Sequence, residues 1–162
     1  MKREELKYIK DQMELQQISE IKIYYKSKIK SEQLSNSKDV SNILFQWWDE
    51  SINIIESFVI LLFNRVNRII GIYKVSQGGI TGTVIDKRLI CSVSLLSGSS
   101  NIILCHNHPS GNLKPSENDI KITATLSESL KLLDINLIDH IILSPENKQY
   151  FSFADEGLIY NN

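Results

Sequence analysis

Two runs of apolar and β-branched residues, 58–63 and 68–75, dominate the middle of the chain, with Asn64-Arg65-Val66-Asn67 between them. Strand-forming side chains on either side of an asparagine-containing break predict two central antiparallel strands joined by a hairpin. Gly78, Gly79 and Gly82 then interrupt the pattern and predict a loop. A helix is expected from about Asp86 to Leu96, closed by Gly98, because glycine adopts the left-handed conformation that ends helices. The short apolar run 101–105 has strand length. Beyond it, Pro115-Ser116 opens a second helix in which Ile120, Thr123, Leu126, Leu130 and Leu133 recur at helical spacing. Runs 137–143 and 149–153 predict two last strands on either side of the Pro145-Glu146-Asn147 turn.

Ahead of these elements, residues 1–18 carry Leu6, Ile9, Met13 and Leu15 in an otherwise polar helical pattern, and 21–28 partly alternates as a strand. The serine-rich stretch 31–37 reads as a linker, after which Ser37 is expected to cap a helix through Val40, Ile43, Leu44 and Trp47. The expected organisation is an N-terminal extension of helix, strand and linker, 1–44, followed by a main domain, 45–162. The order strand, strand, helix, strand, helix, strand, strand predicts an α/β sandwich with a central mixed β-sheet flanked by helices.

Composition narrows the function classes. With 42% hydrophobic and 23% charged residues over 162 positions, the chain suits one globular core. No apolar run approaches the roughly 20 residues of a membrane-spanning helix, and the charged start MKREELKYIKDQ lacks a signal-peptide pattern. A cytoplasmic protein without membrane contact is expected, in which Cys91 and Cys105 stay as thiols. A net charge of -1 argues against strong electrostatic attraction to nucleic acid. The densest basic run, Lys22, Lys26, Lys28 and Lys30, reads as a strand edge kept soluble by charge.

The chemistry concentrates in residues 104–119, LCHNHPSGNLKPSEND. Two residues apart on an extended segment, His106 and His108 point to one side while Asn107 faces away. Pro109 ends the ladder, Ser110-Gly111-Asn112 turns the chain, and Pro115-Ser116 restarts it as a helix. Asp119 in the first helical turn can then swing back towards the imidazoles. Two neutral imidazoles and a carboxylate, with a fourth position left for water, form the ligand set of a catalytic Zn2+ site. Ser116-x-x-Asp119 also fits a capping box, which needs no metal, but a cap does not require two same-facing histidines upstream.

His106-x-His108-Pro109, six residues, then Ser116-x-x-Asp119 resembles the JAMM motif of the JAB/MPN metalloproteases, and HNHPSGNLKPSENDIKIT resembles the RadC-like branch. The similarity spans about residues 45–160, through Glu56-x-Phe58, VILLFNRVNRIIG, GGITGTVIDKR and LIDHIILSPENKQYFSFADEGLI. It departs where Asp86-Lys87-Arg88 replaces the His-Pro-Arg of many members, and the helix-hairpin-helix segment of full-length RadC proteins is not visible. The resemblance implies a JAB/MPN-like, cytidine-deaminase-like α/β sandwich with Zn2+ on His106, His108 and Asp119. It implies a catalytic glutamate at Glu56, with Glu50 as the nearest rival, and gives Ser116 an oxyanion role besides its cap. The implied reaction is zinc-dependent hydrolysis of an amide, peptide or isopeptide bond in a peptide or protein substrate. His140 reads as a structural residue of a buried strand, and Arg88 either binds an anion or substrate carboxylate or serves in packing or a salt bridge. Two other classes stay open. One is a DNA-processing or DNA-repair role of the RadC type, with Trp47, Trp48 and the lysine run as its only candidate contacts; the other is a non-catalytic interaction module.

Overall fold

The computed structural model describes residues 34–78 and 85–159. The expected helix 1–18, the strand 21–28 with its lysine run, and Gly79 and Gly82 lie outside the described residues. β1 (Ser57–Phe63) and β2 (Ile69–Gln77) form the antiparallel hairpin. Its turn is closed by Asn64, whose Oδ1 accepts the Val66 and Arg68 N–H groups at 3.1 and 3.0 Å, and Asn67 takes a φ of 55°. Asparagine tolerates this left-handed conformation, so the turn needs no glycine.

β1 pairs on its other edge with β3 (Asn101–Asn107), antiparallel, and β3 pairs in parallel with β4 (Asn136–Ser144). β5 (Gln149–Ser152) completes an antiparallel edge, giving a mixed five-stranded sheet of order β2-β1-β3-β4-β5. A parallel pair requires a crossover, and α3 (Glu117–Lys131) supplies it; α1 (Ser37–Trp47) and α2 (Lys87–Leu96) precede it. This is the α/β sandwich expected from the order of elements.

β1 and β3 are buried along their whole lengths, because helices cover both faces of the sheet. On one face Val59, Leu61, Ile103 and Cys105 pack with Val40 and Leu44 of α1. On the other, Phe58, Ile60 and Leu104 pack with Ile90 of α2 and with Leu126 and Leu130 of α3. Each fully buried leucine side chain contributes about 1.5–3 kcal/mol. Trp48 belongs to the first of these clusters, with the half-exposed Trp47 edge-on against it.

Two expectations change. The cap of α1 is Asn36 rather than Ser37: Asn36 Oδ1 accepts the Asp39 N–H at 2.8 Å, as asparagine does at least as well as serine. The Ser37 hydroxyl instead bonds to Asp155 and Tyr150. In α3, Ile120 is exposed and Thr123 is buried, so the inward stripe carries a polar residue at its centre for a reason found in the site below. The other helix ends behave as read: Asp86 caps α2 through the Arg88 N–H, and Gly98 follows it at a φ of 66°. Both cysteines are free thiols. Among the described residues, no helix is long and apolar enough to cross a membrane.

Candidate metal centre

The end of β3 and the start of α3 meet over the sheet face that carries Phe58. His106 lies within β3; His108 follows it, its N–H bonded to the Leu143 carbonyl at 2.8 Å so that the ladder to β4 continues one step further. Pro109 cannot extend that ladder. Gly111 turns the chain at a φ of 81°, and α3 begins at its Ser116 cap. His106 Nε2 and His108 Nε2 come within 2.9 Å, and Asp119 Oδ1 lies 3.4 Å from His106 Nε2. The three ligand atoms lie within 4.8 Å of one another, and the group can hold a metal ion. Neighbouring donors around a tetrahedral ion bonded at about 2.0–2.2 Å stand about 3.3 Å apart, close to the two spacings about His106.

The hydrogen bonds around the imidazoles select the tautomers that ligation needs. Thr123 donates its hydroxyl hydrogen to the Asp119 carbonyl at 2.6 Å, so it accepts from His140 Nδ1–H at 2.6 Å. His140 Nε2 is then an acceptor, and His106 Nδ1–H donates to it at 2.9 Å. His106 Nε2 is left with a bare lone pair. His108 Nδ1–H donates to the Asn112 carbonyl, which leaves its Nε2 bare as well. Two lone pairs facing each other at 2.9 Å repel unless a cation sits between them, which is the fit between this donor set and a metal. Outer-shell partners of this kind fix ring orientation and raise ligand basicity.

Burial lowers the His106 pKa to about 4, against the opposing pull of Asp119 and with further lowering from His108. His106 is therefore neutral, and its approach to Asp119 is no ion pair. Burial also holds His140 well below its usual range. Phe58 stacks on His106, and Phe153 on His140 at 4.7 Å between ring centres, which keeps solvent from the inner side.

Asp119 divides its two oxygens. Oδ2 accepts the Ser116 N–H at 2.8 Å and the Ser116 hydroxyl at 2.6 Å, while the Ser116 oxygen accepts the Asp119 N–H at 3.1 Å. Oδ1 faces His106. The capping box and the ligand reading are thus compatible, one oxygen serving each. The hydroxyl hydrogen of Ser116 is committed to Asp119 here.

Glu56 sits one residue ahead of β1 and is partly buried. Phe58 opposes His106 in the register, so two residues further back Glu56 falls opposite His108, on the same sheet face. Burial raises its carboxyl pKa, the His108 charge opposes this and the Asp119 charge reinforces it, so Glu56 is within electrostatic reach of both. Glu50 is exposed in the 3-10 turn Glu50–Asn53. Arg88 pairs with Asp86 at 3.0 Å on the surface, the salt-bridge reading of that residue.

Residue patterns alone did not reveal the Thr123–His140–His106 chain. The signal was a threonine at a core position of α3 and a histidine in a buried strand, two polar groups that must find partners. They find each other.

Two expectations follow. A Cβ on Gly111 would stand 2.7 Å from Glu146 Oε2 and would hold an L residue at a φ of 81°. Gly111→Ala is expected to cost about 1–2 kcal/mol, mostly from the backbone conformation, since the Glu146 side chain can move. A urea midpoint equal to wild type would show that the loop relaxes freely. Acid should also destabilise the metal-free protein. His106 and His140 are held below the value of about 6.5 they have when unfolded, so the unfolded state binds the extra protons as pH falls through 6.5. Stability present above that pH is lost towards pH 4, by about 1.4 kcal/mol per unit for each imidazole. The raised carboxyls of Glu56 and Asp139 take up protons in the folded chain and oppose the trend at lower pH. Urea midpoints at pH 7.5 and 5.5 test this, and equal midpoints would contradict buried neutral imidazoles.

Comparison with known proteins converges on one family. The model of the RadC-like JAB domain matches residues 34–158. A UPF0758 protein of Flavobacterium johnsoniae is 38% identical over 130 residues, covering 80% of this chain and 55% of the relative. One from Porphyromonas gingivalis is 43% identical over 104 residues, 64% of this chain and 45% of the relative, and one from Clostridium acetobutylicum 37% over 135 residues, 83% and 57%. The chain spans about half the length of these relatives. With the family match covering the sheet, the helices and the His-His-Asp group alike, the chain belongs to the RadC-like JAB domain family.

Proposed function

We propose that this chain is a zinc-dependent hydrolase of the JAMM type, cleaving an amide, peptide or isopeptide bond in a peptide or protein substrate. The observation that carries the reading is a partly buried carboxylate, Glu56, on the same sheet face as an open set of three donors, His106, His108 and Asp119. A purely structural zinc site is normally closed by four protein ligands and has no use for such a neighbour. Two imidazoles and one carboxylate suit zinc better than magnesium or calcium, which prefer all-oxygen sets. When bound, zinc supplies a Lewis acid and brings the deprotonation of water close to neutral pH.

The chain's own groups do the rest. Glu56 accepts the proton that water loses on attacking the carbonyl carbon and returns it to the departing amine nitrogen. Its carboxyl, raised by burial, is moved towards the pH at which such a shuttle works in both directions. Ser116 orients Asp119 through Oδ2, and its hydroxyl serves the developing oxyanion only by turning from that bond. His140 and Thr123 hold His106 in the ligating tautomer.

Zinc-loaded protein screened against peptide libraries, single-stranded DNA and duplex DNA tests the reading, with Glu56→Gln as control. The expected result is peptide cleavage that needs zinc and disappears in the variant. Cleavage of DNA alone would overturn the proposal in favour of a DNA-processing role.

A further inference from the structure

We infer that Asn107 is a positioning residue that ties Glu56 to the strand carrying the histidines, a role that rests on the proposed function of Glu56. Asn107 stands between His106 and His108 and points to the opposite face of the sheet, where it is fully buried. Its amide makes three hydrogen bonds there. Oδ1 accepts the Ser57 N–H at 2.8 Å, and Nδ2 donates to the carbonyls of Ile55 at 2.9 Å and Ile52 at 2.8 Å.

Two of these bonds are to the peptide groups flanking Glu56, on the carbonyl of the residue before it and the N–H of the residue after it. The third takes a carbonyl of the 3-10 turn Glu50–Asn53, whose last carbonyls have no partner within so short a helix. The Glu56 carbonyl itself accepts the Gly78 N–H at 2.9 Å, so the backbone around the glutamate is held from two strands. Only a side chain with one acceptor and two donors satisfies all three groups, and asparagine and glutamine alone offer that set. Glutamine would carry the same amide one methylene further from the backbone, in a position that is fully buried. Three consecutive residues at the end of β3 thus set three side chains: two imidazoles on one face, and on the other the amide that fixes the glutamate opposite them. Placement of a base to within a fraction of an ångström is what such a shuttle requires.

The test uses the full chain loaded with zinc and follows amide hydrogen exchange, zinc affinity and, on the peptide substrate found by the screen, turnover. Asn107→Ala is expected to speed exchange at residues 52–57 at least tenfold, leave zinc affinity within about threefold, and abolish turnover. Asn101→Ala is the control for plain loss of a buried asparagine on the same strand. Asn101 bonds to Asn67 at 2.7 Å and receives a bond from Asn136 at 2.8 Å, at the far end of β3, so this variant should leave exchange at 52–57 unchanged and stay active. If Asn107→Ala does not fold, Asn107→Asp keeps the shape and the acceptor for Ser57 while turning a carboxylate towards two carbonyls, and the same local exchange is expected. Unchanged exchange at 52–57, or turnover at the wild-type rate in Asn107→Ala, would overturn the inference. An inactive wild type would sink the proposed function, and the exchange and zinc readings would still decide the clamp.

Discussion

Replacing Glu56 with glutamine is expected to lower kcat by about 10²–10⁴-fold while the protein keeps its full complement of zinc, the range by which a positioned proton shuttle accelerates such reactions. Glutamine matches the shape of glutamate, and position 56 lies only partly buried ahead of β1, so the fold should be undisturbed. Glu56 is outside the group of three donors that can hold the ion, so metal content should not change. The amide cannot accept a proton from water or return one to the amine. Steady-state rates on the peptide substrate, read beside zinc content, check this. A variant with both full zinc and wild-type turnover would remove Glu56 from the mechanism.

The second large effect is on the metal itself. His108→Ala removes one of three protein donors and leaves His106 and Asp119 alone, so zinc affinity should fall by more than the ten- to hundredfold typical of losing an outer-shell partner. The fold should survive, because His108 follows β3, is only partly buried and contributes no apolar packing to either core cluster. Its backbone N–H bond to Leu143 is retained in the variant. Isothermal titration of the metal-free protein with zinc measures the change, and wild-type affinity in His108→Ala would exclude this residue as a ligand.

The sheet was legible in the chain wherever runs of apolar residues were long enough to be covered on both faces. β1 and β3 are the clearest cases, each buried throughout. Same-side placement of His106 and His108 follows from strand geometry alone, and the return of Asp119 follows from a helix beginning at Ser116. What local pattern could not supply depends on contacts distant in sequence. His140 lies 34 residues from His106, and Asn107 lies 50 residues from Ser57. No periodicity encodes such pairs; they exist only once β3 lies between β1 and β4. The cap of α1 failed for a smaller reason, since two adjacent residues can both cap and the choice fell on which side chain had another partner across the fold. Of the α3 stripe, Thr123 does turn inward, where it bonds His140, whereas Ile120, one turn earlier, is left exposed.

One ion is expected to bind between the end of β3 and the first turn of α3. Crystals of the zinc-loaded protein, measured across the zinc absorption edge, test it most directly. The expected result is one anomalous peak per chain, about 2.0–2.2 Å from His106 Nε2, His108 Nε2 and an Asp119 oxygen, the bond lengths of zinc with imidazole and carboxylate. A peak elsewhere, or none at these three residues in zinc-saturated crystals, would contradict it.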